Sequence, residues 1–216
     1  MTGLLHHPSL GVVKYSVAEV PTGGDGQTQA VVGMMTGYVV EDAKHPILVA
    51  DLQNALAARP ELPPHEAIYW WVKDRVRFVR DEEITYPWQE QNTHPVVEAL
   101  IRPVDMIAMC EGGRGGPGCQ RIGDCDDFSM YTAALLTAAG VEAKFATVAA
   151  NPESTDFSHV YVVAYPNGVR VPMDTSHGSH PGWETGQGSR IQEWPIGGGG
   201  GLLFLLALGV GAALCR

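Results

Sequence analysis

Residues 123–140 read GDCDDFSMYTAALLTAAG, and the predicted fold is built around this stretch. From Met130 onward it is rich in alanine and leucine and apolar on nearly every side, which is typical of a helix buried in a protein core. Asp124 is a suitable N-cap for such a helix, and Gly140 is a suitable C-terminal stop. The sequence therefore predicts a core helix that carries Cys125 in its first turn.

The position of Cys125 predicts a reactive thiol. The positive end of the helix dipole favours thiolate over thiol and so lowers the pKa of a cysteine in the first turn. The flanking carboxylates of Asp124, Asp126 and Asp127 act in the opposite direction. We expect the helix and a nearby imidazole to outweigh them, which makes Cys125 a candidate nucleophile.

A second motif predicts a β-hairpin. Asn167 and Gly168 separate two apolar runs, and Asn-Gly in that setting is the strongest short-range hairpin signal. With a two-residue turn at this point, Asp174 faces Tyr161 across the hairpin. His159 then lies on the same face as Tyr161 and is the diagonal neighbour of Asp174, with the two backbones roughly 7–8 Å apart. This register predicts that a carboxylate orients an imidazole.

Cys125, His159 and Asp174 together supply a nucleophile, a base and an acid that fixes the tautomer of the base. Taken singly, they read as a core cysteine, a half-buried strand histidine and an aspartate that opens a turn. Because the helix position and the hairpin register are independent observations, their agreement favours cysteine-dependent acyl transfer.

Acyl transfer also requires an oxyanion hole. The backbone N–H of Cys125 at the helix start is the natural first donor. Gln120, just upstream, and the indole N–H of Trp88 are candidates for the second donor. Both residues are equally well explained by packing or by a loop.

Three motifs resemble the core of the transglutaminase-like superfamily, a branch of the papain-like cysteine enzymes. They read GDCDDFS at 123–129, FSHVYV at 157–162 and PMDT at 172–175, within a resemblance that covers about residues 64–185. The resemblance implies an α+β fold in which a buried helix carrying the cysteine packs on an antiparallel sheet.

The resemblance also assigns roles. It implies that Cys125 is the nucleophile, His159 the general base and acid, and Asp174 the residue that orients the histidine. Small stand-alone proteins of this type are similar to proteins of tailed phages and prophages, so association with a virion is a further expectation. The implied substrate is a peptide or protein amide, and no cofactor is expected.

The organisation of the rest of the chain is predicted from its helix-breaking residues and from the spacing of its apolar residues. Residues 1–44 read as an arm or weak hairpin, 45–185 as the catalytic domain, 186–201 as a glycine-rich linker and 202–216 as a hydrophobic tail. Within the domain, three helices are predicted: from Pro46 to Pro60, after Pro63 and Pro64, and from Pro95 to Met109.

Composition excludes several classes of protein. Asp and Glu number 24 against 14 Lys and Arg, for a formal net charge of −10, which argues against an unassisted nucleic-acid binder. With 45% apolar and 18% charged residues the chain is not disordered throughout, and its 26 glycines are too many for a helical bundle. The N-terminus lacks the features of a secretory signal, so synthesis in the cytoplasm is expected.

The cysteines do not predict a metal site. Cys110, Cys119 and Cys125, with His94 upstream, lack the spacing of paired zinc knuckles, so no metal is expected. A disulfide between Cys110 and Cys119 is expected only in an oxidising compartment.

Residues 196–215 contain no charge and match the roughly 20-residue length of a membrane span. This tail predicts insertion into a membrane or a hydrophobic oligomeric assembly, with simple core packing as the weaker alternative. The leading hypothesis is thus a tethered cysteine acyl-transfer enzyme. The alternative is a structural or assembly protein, or a membrane-anchored binding module, that keeps the fold without turnover.

Overall fold

The computed structural model describes residues 2–7, 11–17, 24–84, 99–111, 119–151, 153, 155–184 and 190–197. It combines helices and sheets, as the predicted α+β class requires. The helices used below are α1 (Gly24–Asp42), α2 (Pro46–Ala58), α3 (Pro64–Arg75), α4 (Pro103–Ala108) and α5 (Cys125–Ala138). The strands are β1 (Thr2–His7), β2 (Gly11–Val17), β3 (Val76–Phe78), β4 (Ala99–Leu100), β5 (Arg121–Gly123), β6 (Ala143–Val148), β7 (His159–Ala164), β8 (Val171–Met173) and β9 (Ile191–Pro195).

The core is built around α5. Every residue from Cys125 to Leu136 is buried, as expected for a helix that is apolar on nearly every side. The helix packs against β7 and β6 of a four-stranded antiparallel sheet whose order is β8-β7-β6-β9. On its other sides it contacts α1, α2 and α3. The predicted arrangement of a buried helix on an antiparallel sheet is therefore present.

Two smaller groups of strands complete the described fold. β1 and β2 form an antiparallel hairpin that β4 extends, and β3 pairs in parallel with β5. The parallel pair matters for the site because β5 leads directly into the first residue of α5.

Helix boundaries agree with the capping signals in the sequence. α2 and α3 begin at Pro46 and Pro64, where the missing N–H of proline has no intrahelical partner to lose. Asp124 caps α5, and Gly140 follows its end with a φ of 73°, a conformation that glycine adopts without strain.

The prediction of a helix from Pro95 to Met109 is wrong at residues 99–102 and confirmed at residues 103–108. The chain at Ala99 is extended, and α4 begins only at Pro103. The reason is tertiary, because the backbone N–H groups of Ala99 and Ile101 each donate to a buried carboxylate at 2.7 Å instead of to a helical carbonyl.

Residues 1–44 contain more structure than the predicted arm. The hairpin of β1 and β2 agrees with one form of the prediction, but α1 was not expected. Two interior glycines, Gly33 and Gly37, weaken its local helix propensity. Burial of Val31, Met35 and Val39 in the main core supplies the stability that propensity lacks. The domain boundaries themselves remain a prediction.

No helix among the described residues is long and apolar enough to cross a membrane. The hydrophobic tail predicted at residues 202–216 lies beyond residue 197, the last residue that the structure describes.

One buried polar cluster joins four elements. The carboxylate of Asp51 on α2 binds both terminal nitrogens of Arg121 on β5, at 2.8 and 3.1 Å. The indole N–H of Trp71 on α3 donates to the same carboxylate at 3.0 Å, and the hydroxyl of Tyr131 on α5 also donates to it. Asp51 therefore neutralises a guanidinium that would otherwise be a buried, unpaired charge.

We predict that Asp51→Ala lowers the free energy of unfolding by about 3–5 kcal/mol, because it removes one partner of a buried ion pair and leaves the other. Urea denaturation measures the effect. Asp74→Ala is the matched control, since Asp74 pairs at 2.9 Å with Arg59 at the surface and should cost less than about 1 kcal/mol. Equal losses in the two variants would contradict the assignment.

Candidate active site

The start of α5 is fixed by reciprocal hydrogen bonds. The carboxylate of Asp124 accepts from the N–H of Asp126 at 3.3 Å, and the carboxylate of Asp127 accepts from the N–H of Asp124 at 3.2 Å. Together they form a capping box, which satisfies N–H groups that have no acceptor inside the helix. The cap makes Cys125 the first residue of α5.

The face of α5 that carries Cys125 is tied to the sheet. Cys125, Ser129 and Thr132 are spaced by four and three residues and so share one side of the helix. The Ser129 hydroxyl lies 2.6 Å from the carbonyl of Cys125 and 3.1 Å from that of Val160. The Thr132 hydroxyl lies 2.9 Å from the hydroxyl of Thr175. Val160 and Thr175 directly follow the predicted histidine and aspartate.

The predicted contact between His159 and Asp174 is confirmed. Nε2 of His159 lies 2.8 Å from Oδ2 of Asp174, and both side chains are buried. The hairpin has the predicted register, with Met173 opposite Val162. Its turn holds Asn167 at a φ of 54°, so the Asn-Gly signal fixed the pairing as expected.

Asp174 is held as a carboxylate. Its Oδ1 accepts from the Ser176 hydroxyl and from the backbone N–H of His177, both at 2.9 Å. Burial alone would raise the pKa of Asp174, but the hydrogen bond and charge of His159, with these two donors, bring the pKa below its ordinary value. An ionised Asp174 can only accept, so Nε2 of His159 donates to it. The lone pair of neutral His159 is therefore on Nδ1.

His177 belongs to the site and was missed at the sequence level. Its ring lies 4.8 Å from that of His159, nearly perpendicular to it. Its Nδ1 is 2.9 Å from the Ser176 hydroxyl. That hydroxyl gives its one proton to Asp174, so Nδ1 of His177 is the donor and the lone pair lies on Nε2. Partial burial and the nearby charge of His159 lower the pKa of His177. The only signal in the sequence is its position three residues after Asp174.

Phe78 connects the two halves of the site. Its ring is 6.3 Å from that of Phe128 on α5 and 5.2 Å from that of His177. The Phe78 side chain is also one of the large apolar groups that remain exposed. Ring contacts therefore connect Phe128, near the start of α5, through Phe78 to His177.

Three buried carboxyl groups lie beneath the start of α5. Asp81, Asp124 and Asp127 have oxygens within 4.8 Å of one another, and Asp81 and Asp127 accept the N–H groups of β4 and the residue after it. Burial, followed by repulsion from neighbouring carboxyl groups, raises the pKa of all three well above the ordinary value. Each of these carboxyls is therefore harder to ionise than an exposed aspartate, which weakens the opposition to a thiolate that the sequence alone indicated.

Cys125 is buried and disulfide-bonded in the structure. Cys110 and Cys119 form a second disulfide, which links the end of α4 to the segment before β5. The fourth cysteine of the sequence, Cys215, lies in the tail that the structure leaves undescribed. A Cys125 thiol is therefore available only after reduction.

The structure describes one of the two candidates for the second oxyanion donor. Gln120 is exposed just before β5. Trp88 falls within 85–98, a stretch outside the described residues. The second donor thus remains a prediction.

Comparisons with known proteins do not place the chain in a family. No family model and no curated protein matches it. One solved structure is similar, a protein from Cytophaga hutchinsonii provisionally assigned as a cysteine protease, with 17% identity and a TM-score of 0.39. The match covers 77% of this chain and 50% of the Cytophaga protein, so this chain spans about half the length of that protein. A TM-score this low does not establish a shared fold.

We predict that Asp81, Asp124 and Asp127 contribute a loss of unfolding free energy as the pH rises above about 4, because the folded carboxyls hold protons that the unfolded chain has already released. Asp81→Asn keeps an oxygen that can accept from Ala99 and removes one such proton. It should raise the free energy of unfolding at pH 7.5 by on the order of 1 kcal/mol and flatten its pH dependence. Urea titrations from pH 5 to 8 measure this. Glu61→Gln, at an exposed site, is the control. A gain in Asp81→Asn that is independent of pH would contradict the account.

We predict that Gly123→Ala disrupts the start of α5. A Cβ at this position would lie 2.5 Å from Cβ of Asp127 and 2.7 Å from its Oδ2, so the capping box must shift. The expected loss is about 1–3 kcal/mol of unfolding free energy, measured by urea denaturation. Gly37→Ala is the control, because a Cβ there meets nothing within 4 Å and an interior helix position favours alanine. A Gly123→Ala protein as stable as the parent would refute the constraint.

Proposed function

We propose that the chain is a cysteine-dependent acyl-transfer enzyme, of protease, amidase or transglutaminase type, built on a papain-like or transglutaminase-like core. One observation carries the proposal. Nε2 of His159 is bound to the ionised Asp174 at 2.8 Å, which leaves the basic lone pair on Nδ1. This histidine begins the strand to which the Cys125 face of α5 is anchored.

The proposed reaction starts with proton transfer from the Cys125 thiol to Nδ1 of His159. The thiolate attacks the carbonyl carbon of a peptide or side-chain amide, and its electron pair forms the new C–S bond while the carbonyl oxygen becomes an oxyanion. The imidazolium, stabilised by Asp174, then protonates the leaving amine as the C–N bond breaks. Water or a second amine resolves the acyl-enzyme with the same histidine as base. No cofactor takes part.

Two features of the helix start support such a thiolate. The first-turn N–H groups and the helix dipole favour negative charge at Cys125, and the Cys125 N–H is the proposed first donor to the oxyanion. The raised pKa values of Asp124 and Asp127 reduce the negative charge beside it. The disulfide and the burial of Cys125 must both be relieved before turnover.

The alternative is a structural or binding protein without turnover. A specific observation favours it, since a buried, disulfide-bonded cysteine also serves as a staple that stabilises the folded state by about 2–5 kcal/mol. Association with a phage particle, a membrane or a hydrophobic assembly remains a prediction under either function. The described residues bear on none of these.

We predict that a thiol-reactive amide probe labels Cys125 after mild reduction. The experiment uses full-length protein with Cys110→Ser, Cys119→Ser and Cys215→Ser, so that Cys125 is the one cysteine left in the chain. Intact-mass spectrometry should detect one adduct, which Cys125→Ala abolishes and which His159→Ala slows by about 10²–10⁴-fold. Labelling that persists in Cys125→Ala would refute the nucleophile.

The same set of proteins distinguishes the alternative. If Cys125 is a staple, its labelling after reduction is as fast without His159 as with it, and Cys125→Ala unfolds at a lower urea concentration than the oxidised parent. If it is a nucleophile, labelling proceeds and follows the presence of His159.

A further inference from the structure

We infer that His159, Asp174 and His177 form a binding site for a transition-metal ion of the Zn²⁺ class, and that the bound ion inhibits the thiol chemistry. The inhibitory part of this inference rests on the proposed function, whereas the metal site stands on geometry alone.

The three donors converge. Each residue offers one ligand atom, and the three atoms lie within 4.8 Å of one another. Nitrogen and oxygen ligands bind Zn²⁺ at about 2.0–2.2 Å, so the donors of an occupied site lie roughly 3–3.5 Å apart. The three ligand atoms must therefore move closer together to bind an ion. His177 can make this movement because it is exposed in a turn and lies outside the strands. Its exposure also gives an ion a route from solvent.

The tautomers suit metal binding. Neutral His177 carries its lone pair on Nε2, because Nδ1 donates to Ser176. Nε2 of His159 and Oδ2 of Asp174 lie 2.8 Å apart and share one proton, so an ion that binds both atoms takes the place of that proton. Asp174 contacts both histidines, through the ring of His159 and the backbone N–H of His177.

The donor set also selects the class of ion. Two imidazoles favour Zn²⁺, Cu²⁺ or Ni²⁺, whereas Mg²⁺ and Ca²⁺ require oxygen ligands. Zn²⁺ is therefore the probe and Mg²⁺ the matched negative control.

Metal binding removes the proposed base. An ion on Nδ1 of His159 occupies the lone pair that must accept the thiol proton. An ion on Nε2 displaces the proton shared with Asp174, and the neutral ring then carries its proton on Nδ1. In either case His159 no longer accepts a proton from Cys125, and no oxidation or reduction is involved.

Calorimetric titration of full-length, tag-free protein with Zn²⁺ tests the site. The protein is stripped of metal and kept oxidised, with thiol titration as a check, so that cysteine thiols do not compete. We expect one saturable site, at least tenfold weaker binding in His177→Ala, and no saturable binding of Mg²⁺. His180→Ala is the control, because His180 is exposed three residues away and bonds to the carbonyl of Pro181.

Two results would overturn the metal site: no saturable Zn²⁺ binding by the parent, or equal affinity in His177→Ala and the parent. Inhibition is tested separately on protein with Cys110→Ser, Cys119→Ser and Cys215→Ser, treated with a non-chelating reductant, by the rate of Cys125 labelling. Zn²⁺ should slow the labelling of Cys125, and a chelator should restore the original rate. At the same Zn²⁺ concentration, the slowing should be at least tenfold smaller in His177→Ala than in the parent. Binding without slower labelling would overturn the inhibitory role. A parent that never labels would instead contradict the proposed function, while the calorimetry would still decide the metal site.

Discussion

The hydrogen bonds that cap α5 are the constraint on which the site depends. Asp124 and Asp127 satisfy N–H groups of the first turn, and Asp127 also accepts the N–H of Ile101. One carboxyl group therefore fixes both the start of the buried helix and the path of the chain that follows β4. A helix that began one residue later would rotate Cys125 by about 100° around the axis and away from the anchored face.

Buried aspartates have opposite roles in this small region, and their hydrogen-bond partners explain the difference. Burial raises the pKa of Asp124 and Asp127, which lie close to other carboxyls. Asp174 is also buried, yet its pKa lies below the ordinary value because His159, Ser176 and His177 supply donors to it. The negative charge at the helix start is thus reduced, while His159 keeps an ionised partner in Asp174. Hydroxyl groups on one face of α5 join this helix to the segments that carry His159 and Asp174.

Much of this arrangement was predictable from local signals. The N-cap, the stop at Gly140 and the Asn-Gly turn are chemical requirements of single segments, so the helix and the contact between His159 and Asp174 follow from the order of the amino acids. The helix over Gly24–Asp42 and the extended chain at Ala99 do not, because distant groups decide them. In the first case core packing outweighs two interior glycines, and in the second a buried carboxylate competes successfully with a helical carbonyl.

Local signals in the amino-acid sequence predict which residue begins the core helix, which residues pair across the hairpin and which side chains are chemically able to act as nucleophile, base and orienting acid. The folded structure shows in addition that Ser129 and Thr132 join the helix to the histidine and aspartate segments. It alone placed the second imidazole of His177 beside His159 and put Cys125 in a disulfide. The difference lies in the range of the interactions. Caps and turns act over three or four residues, whereas burial, pKa shifts and side-chain contacts depend on groups that only the folded chain brings together.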